Sequence, residues 1–143
     1  MRTLLCAALV VAACTSGEKT GTTGGPGQKY VGTWEGRSYR TPSDTGVPWQ
    51  VIMARVADGT LRGTLTYPGS TAPPVAIRVR EYSDTSIVEE FGPYHSMVAG
   101  KDVVARAVGR VAGDSLNGTF EMRPPEGGNV IMTGTFRGRR VSP

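Results

Sequence analysis

Residues 54–65 read ARVADGTLRGTL, and residues 109–120 read GRVAGDSLNGTF. Arg55, Val56, Ala57, Leu61, Gly63 and Thr64 recur as Arg110, Val111, Ala112, Leu116, Gly118 and Thr119, at a constant offset of 55. Each copy reads as strand, turn, strand. Asp58-Gly59 and Gly113-Asp114 are two-residue hairpin signals, because glycine reaches the backbone angles that tight hairpins need. Beyond each turn the residues alternate. Leu61, Gly63, Leu65 and Tyr67 share one face, against Thr60, Arg62, Thr64 and Thr66. Leu116, Gly118, Phe120 and Met122 share another, against Asn117, Thr119, Glu121 and Arg123. A period of two, with one dry face and one wet face, is the pattern of antiparallel sheet. The repeat admits two origins, duplication of a four-stranded unit or convergence on the needs of any hairpin.

Working outward, the same grammar covers the chain from Lys29 onward. Eight strand segments follow one another at 29–40, 47–57, 60–68, 75–82, 85–92, 102–112, 115–123 and 130–140, with 93–101 read as irregular. Composition agrees: 20 Gly, 10 Pro and no helical period after residue 13. Val75, Ile77 and Val79 face in with Ile87, Phe91, Met132 and Phe136. The second and sixth segments are ambiguous, since Arg55, Arg106 and Arg110 compete with Val and Ile for the inside. The expected fold is all-β, an eight-stranded antiparallel up-and-down meander closed or nearly closed into a barrel; a two-sheet sandwich is the competitor. A Gly-Thr-apolar unit recurs at Gly32-Thr33-Trp34, Gly63-Thr64-Leu65, Gly118-Thr119-Phe120 and Gly134-Thr135-Phe136. Its glycine shares a face with the large residue, which allows bending and leaves room for a ring.

Residues 1–13 carry one basic residue, Arg2, and then a ten-residue apolar core from Leu4 to Ala13. That core is too short to span a bilayer and reads as a signal peptide. Val11-Ala12-Ala13-Cys14 resembles the lipobox of bacterial lipoproteins, which implies acylation of Cys14 as the mature N-terminus. The alternative is ordinary cleavage near Ala12 or Ala13. Residues 14–28 hold no large apolar side chain and read as a flexible Gly/Thr-rich tether to a barrel domain at 29–143. The resemblance implies a membrane partner through the lipid anchor, with Thr15 pointing to an exported, outer-membrane location. A mature chain beginning at Cys14 has no second cysteine and no disulfide.

Tyr30-Val31-Gly32-Thr33-Trp34 near the domain start, with Arg137, Arg139 and Arg140 on the last strand, resembles the calycin pattern of lipocalins and fatty-acid-binding proteins. The resemblance implies that Trp34, entered through Gly32, packs at a closed barrel end. It also implies that a basic residue of the last strand lies across it, with Arg137 the first choice. The T-D-Y motif, the disulfide and the C-terminal helix of typical lipocalins are missing. Avidins share the Gly-Thr-Trp start, but Leu65 stands where their binding tyrosine falls, so biotin is not expected.

Net charge is +4 with interspersed signs, which does not suit a nucleic-acid interface. His95 is the only histidine, so no metal cluster and no cofactor is expected. A Ser96–His95–Asp102 triad can be written on paper, but adjacent Ser and His rarely face each other. Glu89 and Glu90 point to opposite faces of a strand and cannot pair as acid and base. No catalytic residue is assigned and an enzyme is not expected. The stretch FGPYHSM, 91–97, and TPSDTGVPW, 41–49, could both lie at an open mouth. Trp49, Tyr67, Phe91, Tyr94 and His95 are the candidate contacts for a ligand or partner. The expected function is a lipid-anchored, non-catalytic envelope protein binding a small apolar or amphipathic ligand. The alternatives are an envelope interaction module such as a hydrolase inhibitor, or a structural lipoprotein without ligand. The carrier reading places the ligand inside the barrel and requires a connected interior cavity of a few hundred Å³.

Overall fold

The computed structural model describes residues 25–143. The expected signal peptide, Cys14 and most of the tether lie outside the described residues. Eight strands follow in chain order: β1 Gly32–Tyr39, β2 Val47–Arg55, β3 Leu61–Thr66, β4 Val75–Tyr82, β5 Ser86–Ser96, β6 Lys101–Ala112, β7 Ser115–Arg123 and β8 Met132–Ser142. Each pairs antiparallel with its neighbours in sequence, and β1 pairs with β8. The meander is a closed barrel with no sheet edge, so the sandwich alternative falls.

Alternation places the inward residues as read. Trp34, Leu61, Leu65, Ile77, Ile87, Phe91, Leu116, Met122 and Phe136 are buried, and Tyr67, Phe120 and Met132 pack against them. The ambiguous β6 resolves with Val103, Ala105, Ala107, Gly109 and Val111 inward and Arg106 and Arg110 outward. Three of those five inward positions carry almost no side chain, and two of them, Ala105 and Ala107, border interior space. Glycine makes room for rings between β7 and β8. Gly118 faces Phe136 and Phe120 faces Gly134 across the ladder. A Cβ at Gly118 would stand 2.4 Å from the Phe136 ring, and one at Gly134 2.5 Å from Phe120.

The doubled stretch forms two different hairpins. Gly113-Asp114 is a two-residue connection with Ala112 opposite Ser115. Asp58-Gly59 is not: Val56 N–H donates to Thr60 O at 2.9 Å and Gly59 N–H to Val56 O at 2.8 Å, giving a longer loop. Leu61 therefore pairs with Arg55, whereas Leu116 pairs with Val111. A one-residue change of register turns a strand over. Arg55 falls on the inward parity of β2 at the barrel rim, while its counterpart Arg110 faces solvent.

Several boundaries differ from the sequence reading: the first strand begins at Gly32 and not at Lys29, the second and third end two residues early at Arg55 and Thr66, and the eighth is shifted by two to Met132–Ser142. The segment 93–101, expected to be irregular, is mostly strand: β5 runs on to Ser96 through a one-residue bulge between Phe91 and Tyr94, and β6 begins at Lys101. The end of the tether is folded. Gln28–Tyr30 form a 3-10 turn, Gln28 N–H donates to Gly25 O at 3.0 Å, and the Arg55 guanidinium donates to the carbonyls of Gly25 and Pro26. A charged donor on the barrel rim holds chain whose own composition cannot bury surface.

Candidate functional site

The barrel has a plugged end and an open one. At the plugged end Tyr30 is buried and its hydroxyl lies 2.8 Å from both Ser83 O and Ser86 O, which share its one proton. Trp34 is buried beside it and donates Nε1–H to Tyr30 O at 2.9 Å. The cation over its ring is Arg140, not Arg137, with the guanidinium carbon 4.7 Å from the ring centroid. Parity decides this: Phe136, Gly138 and Arg140 share the inner face of β8, Arg140 lies opposite Trp34, and Arg137 is exposed. Arg140 also donates to Val31 O at 3.0 Å and to Lys29 O, and its Nε lies 3.3 Å from the Asp114 carboxylate without hydrogen-bond alignment. Arg140→Ala should therefore cost about 2 kcal/mol, combining the cation–π contact and the unpaired carbonyls. Arg137→Ala should stay within about 0.5 kcal/mol of wild type. Urea midpoints of the two variants check this, and equal losses would refute the assignment.

Inside the barrel, above Trp34, lies a chamber of about 90 Å³. Trp49, Tyr67, Phe91 and Tyr94, four of the five candidate contacts, line it. Trp49 lies against Gly36 and Gly138, where a Cβ would come within 2.4 Å of its ring, and meets Phe136 edge-on at 6.2 Å between centroids. Tyr67 and Tyr94 stand close together at the outer rim. Burial pushes both phenols above the ordinary tyrosine range, and for Tyr94 the neighbouring Tyr67 adds to this.

The fifth candidate, His95, points outward. It is exposed, opposite Asp102, with Nδ1 3.0 Å from the carboxylate. Ser96 is buried on the other face, accepting from Ala99 N–H at 3.2 Å. The paper triad of Ser96, His95 and Asp102 is thus split across the sheet. His95 does reach the mouth, a wider space of about 730 Å³ between the 67–76 and 92–98 segments. Ser38, Tyr67, Tyr94, Phe120 and Met122 line both spaces, so the chamber lies directly beneath the mouth. Val47 and Pro48 of the stretch 41–49 and residues 92–97 of the stretch 91–97 line the open end.

The residue that sequence reasoning missed is Glu89. It is 6 % exposed, faces Ala107 across the β5–β6 ladder and lines the chamber. Burial raises its carboxyl from the ordinary 4.5 to about 7. Among the described residues none donates it a hydrogen bond, and no Arg, Lys or His lines the chamber with it. Its neighbour Glu90 does the opposite, facing out to meet Arg80 at 2.6 Å and Arg78 at 3.8 Å. The signal was available: Glu89 lies midway between Ile87 and Phe91, both read as inward, and parity carries it inside with them.

Among the described residues no group of three metal-ligating side chains is present. Compared with known protein families, curated proteins and solved structures, the chain matches none.

Proposed function

We propose that this protein is a non-catalytic binding protein of the cell envelope, tethered through Cys14, that seats a small amphipathic molecule at the open end of its barrel. The observation supporting this reading is the apolar chamber lying directly under a wide mouth and sharing five residues with it. The chamber, at about 90 Å³, falls short of the few hundred Å³ that a ligand held wholly inside the barrel requires, so seating in the interior alone is set aside. A cavity of about 150 Å³ takes a benzene ring, so about 90 Å³ takes a group of a few non-hydrogen atoms. The mouth supplies the remaining volume, and the bound molecule lies mainly there with one end inserted. The calycin-like closure of Trp34 by Arg140 agrees with a barrel open at one end only.

A second reading, an inhibitor or docking module for an envelope protein, draws on the turn after β5. There Met97 is 80 % exposed and Val98 is exposed beside it, an apolar tip at the mouth. Native mass spectrometry of the protein purified from its host separates the two. A retained mass of small-molecule size supports the carrier. A stoichiometric protein companion, with the barrel empty, replaces it with the docking module.

A further inference from the structure

A carboxyl facing an otherwise apolar chamber is costly when ionised, because the side chains around it leave little room for the water that would solvate it. Proteins offset that cost with a hydrogen-bond donor or a countercharge. Glu89 has neither among the described residues. Its position is also the one where the barrel leaves space: Ala107 faces it across the ladder, and Ala105 follows toward the mouth on the same inner face. Carboxyl and void therefore coincide.

The rest of the wall carries a second, independent indication. The rings of Trp34, Trp49, Phe91 and Phe136 line the same chamber, with Tyr67 and Tyr94 at its rim. Aromatic faces carry negative potential and attract cations, and a set of them around one carboxylate is the architecture that selects an ammonium group. An anion would meet Glu89 with nothing to balance it. A neutral hydroxyl would gain one hydrogen bond and no charge pairing. Access is not blocked by net charge, since the Arg40 that lines the mouth is paired with Asp44 at 3.2 Å and His95 with Asp102 at 3.0 Å.

We propose that the molecule bound by this barrel carries a protonated amine, which enters head first and pairs with the Glu89 carboxylate while its apolar remainder lies in the mouth. This rests on the carrier reading above and narrows it to amphipathic amines. The size of the chamber fits: about 90 Å³ accepts an aminomethyl end and little more. Binding then depends on pH through Glu89. The titratable groups facing it are Tyr30 from the plug, Tyr67 from the segment following β3, and Tyr94 further along its own strand. All three tyrosines are shifted upward, away from neutrality. Amine affinity should rise as pH rises through about 7, where Glu89 ionises, and level off above it.

The test uses three probes of equal chain length, octylamine, octanol and octanoate, followed through the fluorescence of Trp34 and Trp49, both in the chamber wall. Near pH 8 wild type should bind octylamine about tenfold more tightly than octanol, the scale of one charge-assisted hydrogen bond less desolvation. Glu89→Gln should abolish that preference and its pH dependence while still binding octanol. Glu89→Asp, which keeps the charge one methylene shorter, should retain part of it. Circular dichroism of both variants establishes that the barrel is intact. Equal affinity for amine and alcohol, tighter binding of octanoate, or a preference that survives Glu89→Gln overturns the amine inference and leaves the carrier reading standing. If none of the three probes binds wild type, the carrier reading fails and the inference with it.

Discussion

Glu89→Gln should abolish a loss of stability that the wild-type barrel suffers between about pH 4.5 and about pH 7. The sign follows from proton counting. Burial raises the folded-state value above the ordinary 4.5, so within that window the folded chain binds more protons than the unfolded one. Stability therefore falls as pH rises through the window and is flat above it. The penalty at full ionisation is of order 3 kcal/mol, a large share of the roughly 5–15 kcal/mol that holds a typical domain together. Near pH 8 the glutamine variant should be the more stable, by roughly 10 °C in melting temperature. Near pH 4.5 the two should nearly coincide, since both then bury a neutral polar group. Thermal melts of both proteins across this range check it. A pH-independent difference, or a variant less stable at pH 8, would show that Glu89 is solvated or paired.

Trp34→Ala should have the larger effect on the fold, a loss of about 3–5 kcal/mol. The ring is buried at the plugged end, where three contributions meet in one side chain. Removing it leaves a cavity under the chamber floor, takes the Nε1–H donor from Tyr30 O, and leaves Arg140 with no face to lie on. Tyr30 is the anchor of the Gln28–Tyr30 turn, so the plug should loosen with it. Trp34→Phe separates the contributions, keeping a ring under Arg140 but no donor, and should cost about 1–2 kcal/mol. Urea unfolding followed by circular dichroism gives both values. A loss below about 1 kcal/mol for Trp34→Ala would mean that the plug is not part of the cooperative unit.

Period-two alternation made most of this barrel legible, because a closed sheet has only an inside and an outside. That one rule read the inward set of β3, β4, β7 and β8 correctly. Applied through to the end, it would also have chosen Arg140 over Arg137 and put Glu89 inside. The calycin resemblance implies a cation over Trp34 but not its register, and adjacency alone makes Glu89 and Glu90 diverge without saying which of them faces in. Other features were not legible, for a physical reason. The turn after β2 and the bulge in β5 each add a residue, and an added residue inverts every parity beyond it. Arg55 and Arg110, identical in sequence context, fall on opposite sides for this reason. The size of the chamber was equally hidden: it depends on which face of β6 turns inward, and that strand carries valines on both.

The β5 bulge has one more effect. Across it Phe91 pairs with Ala105 and Tyr94 with Val103, so two side chains three positions apart both project inward. It works as a phase shifter. Upstream the odd-numbered residues Ile87, Glu89 and Phe91 face the lumen; downstream the even-numbered Tyr94 and Ser96 do. Without the added residue, the imidazole of His95 would turn from the outer wall of the mouth into the passage to the chamber, and Tyr94 would turn away from Tyr67. An entrance lined by imidazole gates on proton concentration near neutrality. One lined by phenols held above their ordinary range does not. A single extra backbone unit thus turns two phenols toward the passage between mouth and chamber and leaves His95 on the outer wall of the mouth, beside Asp102.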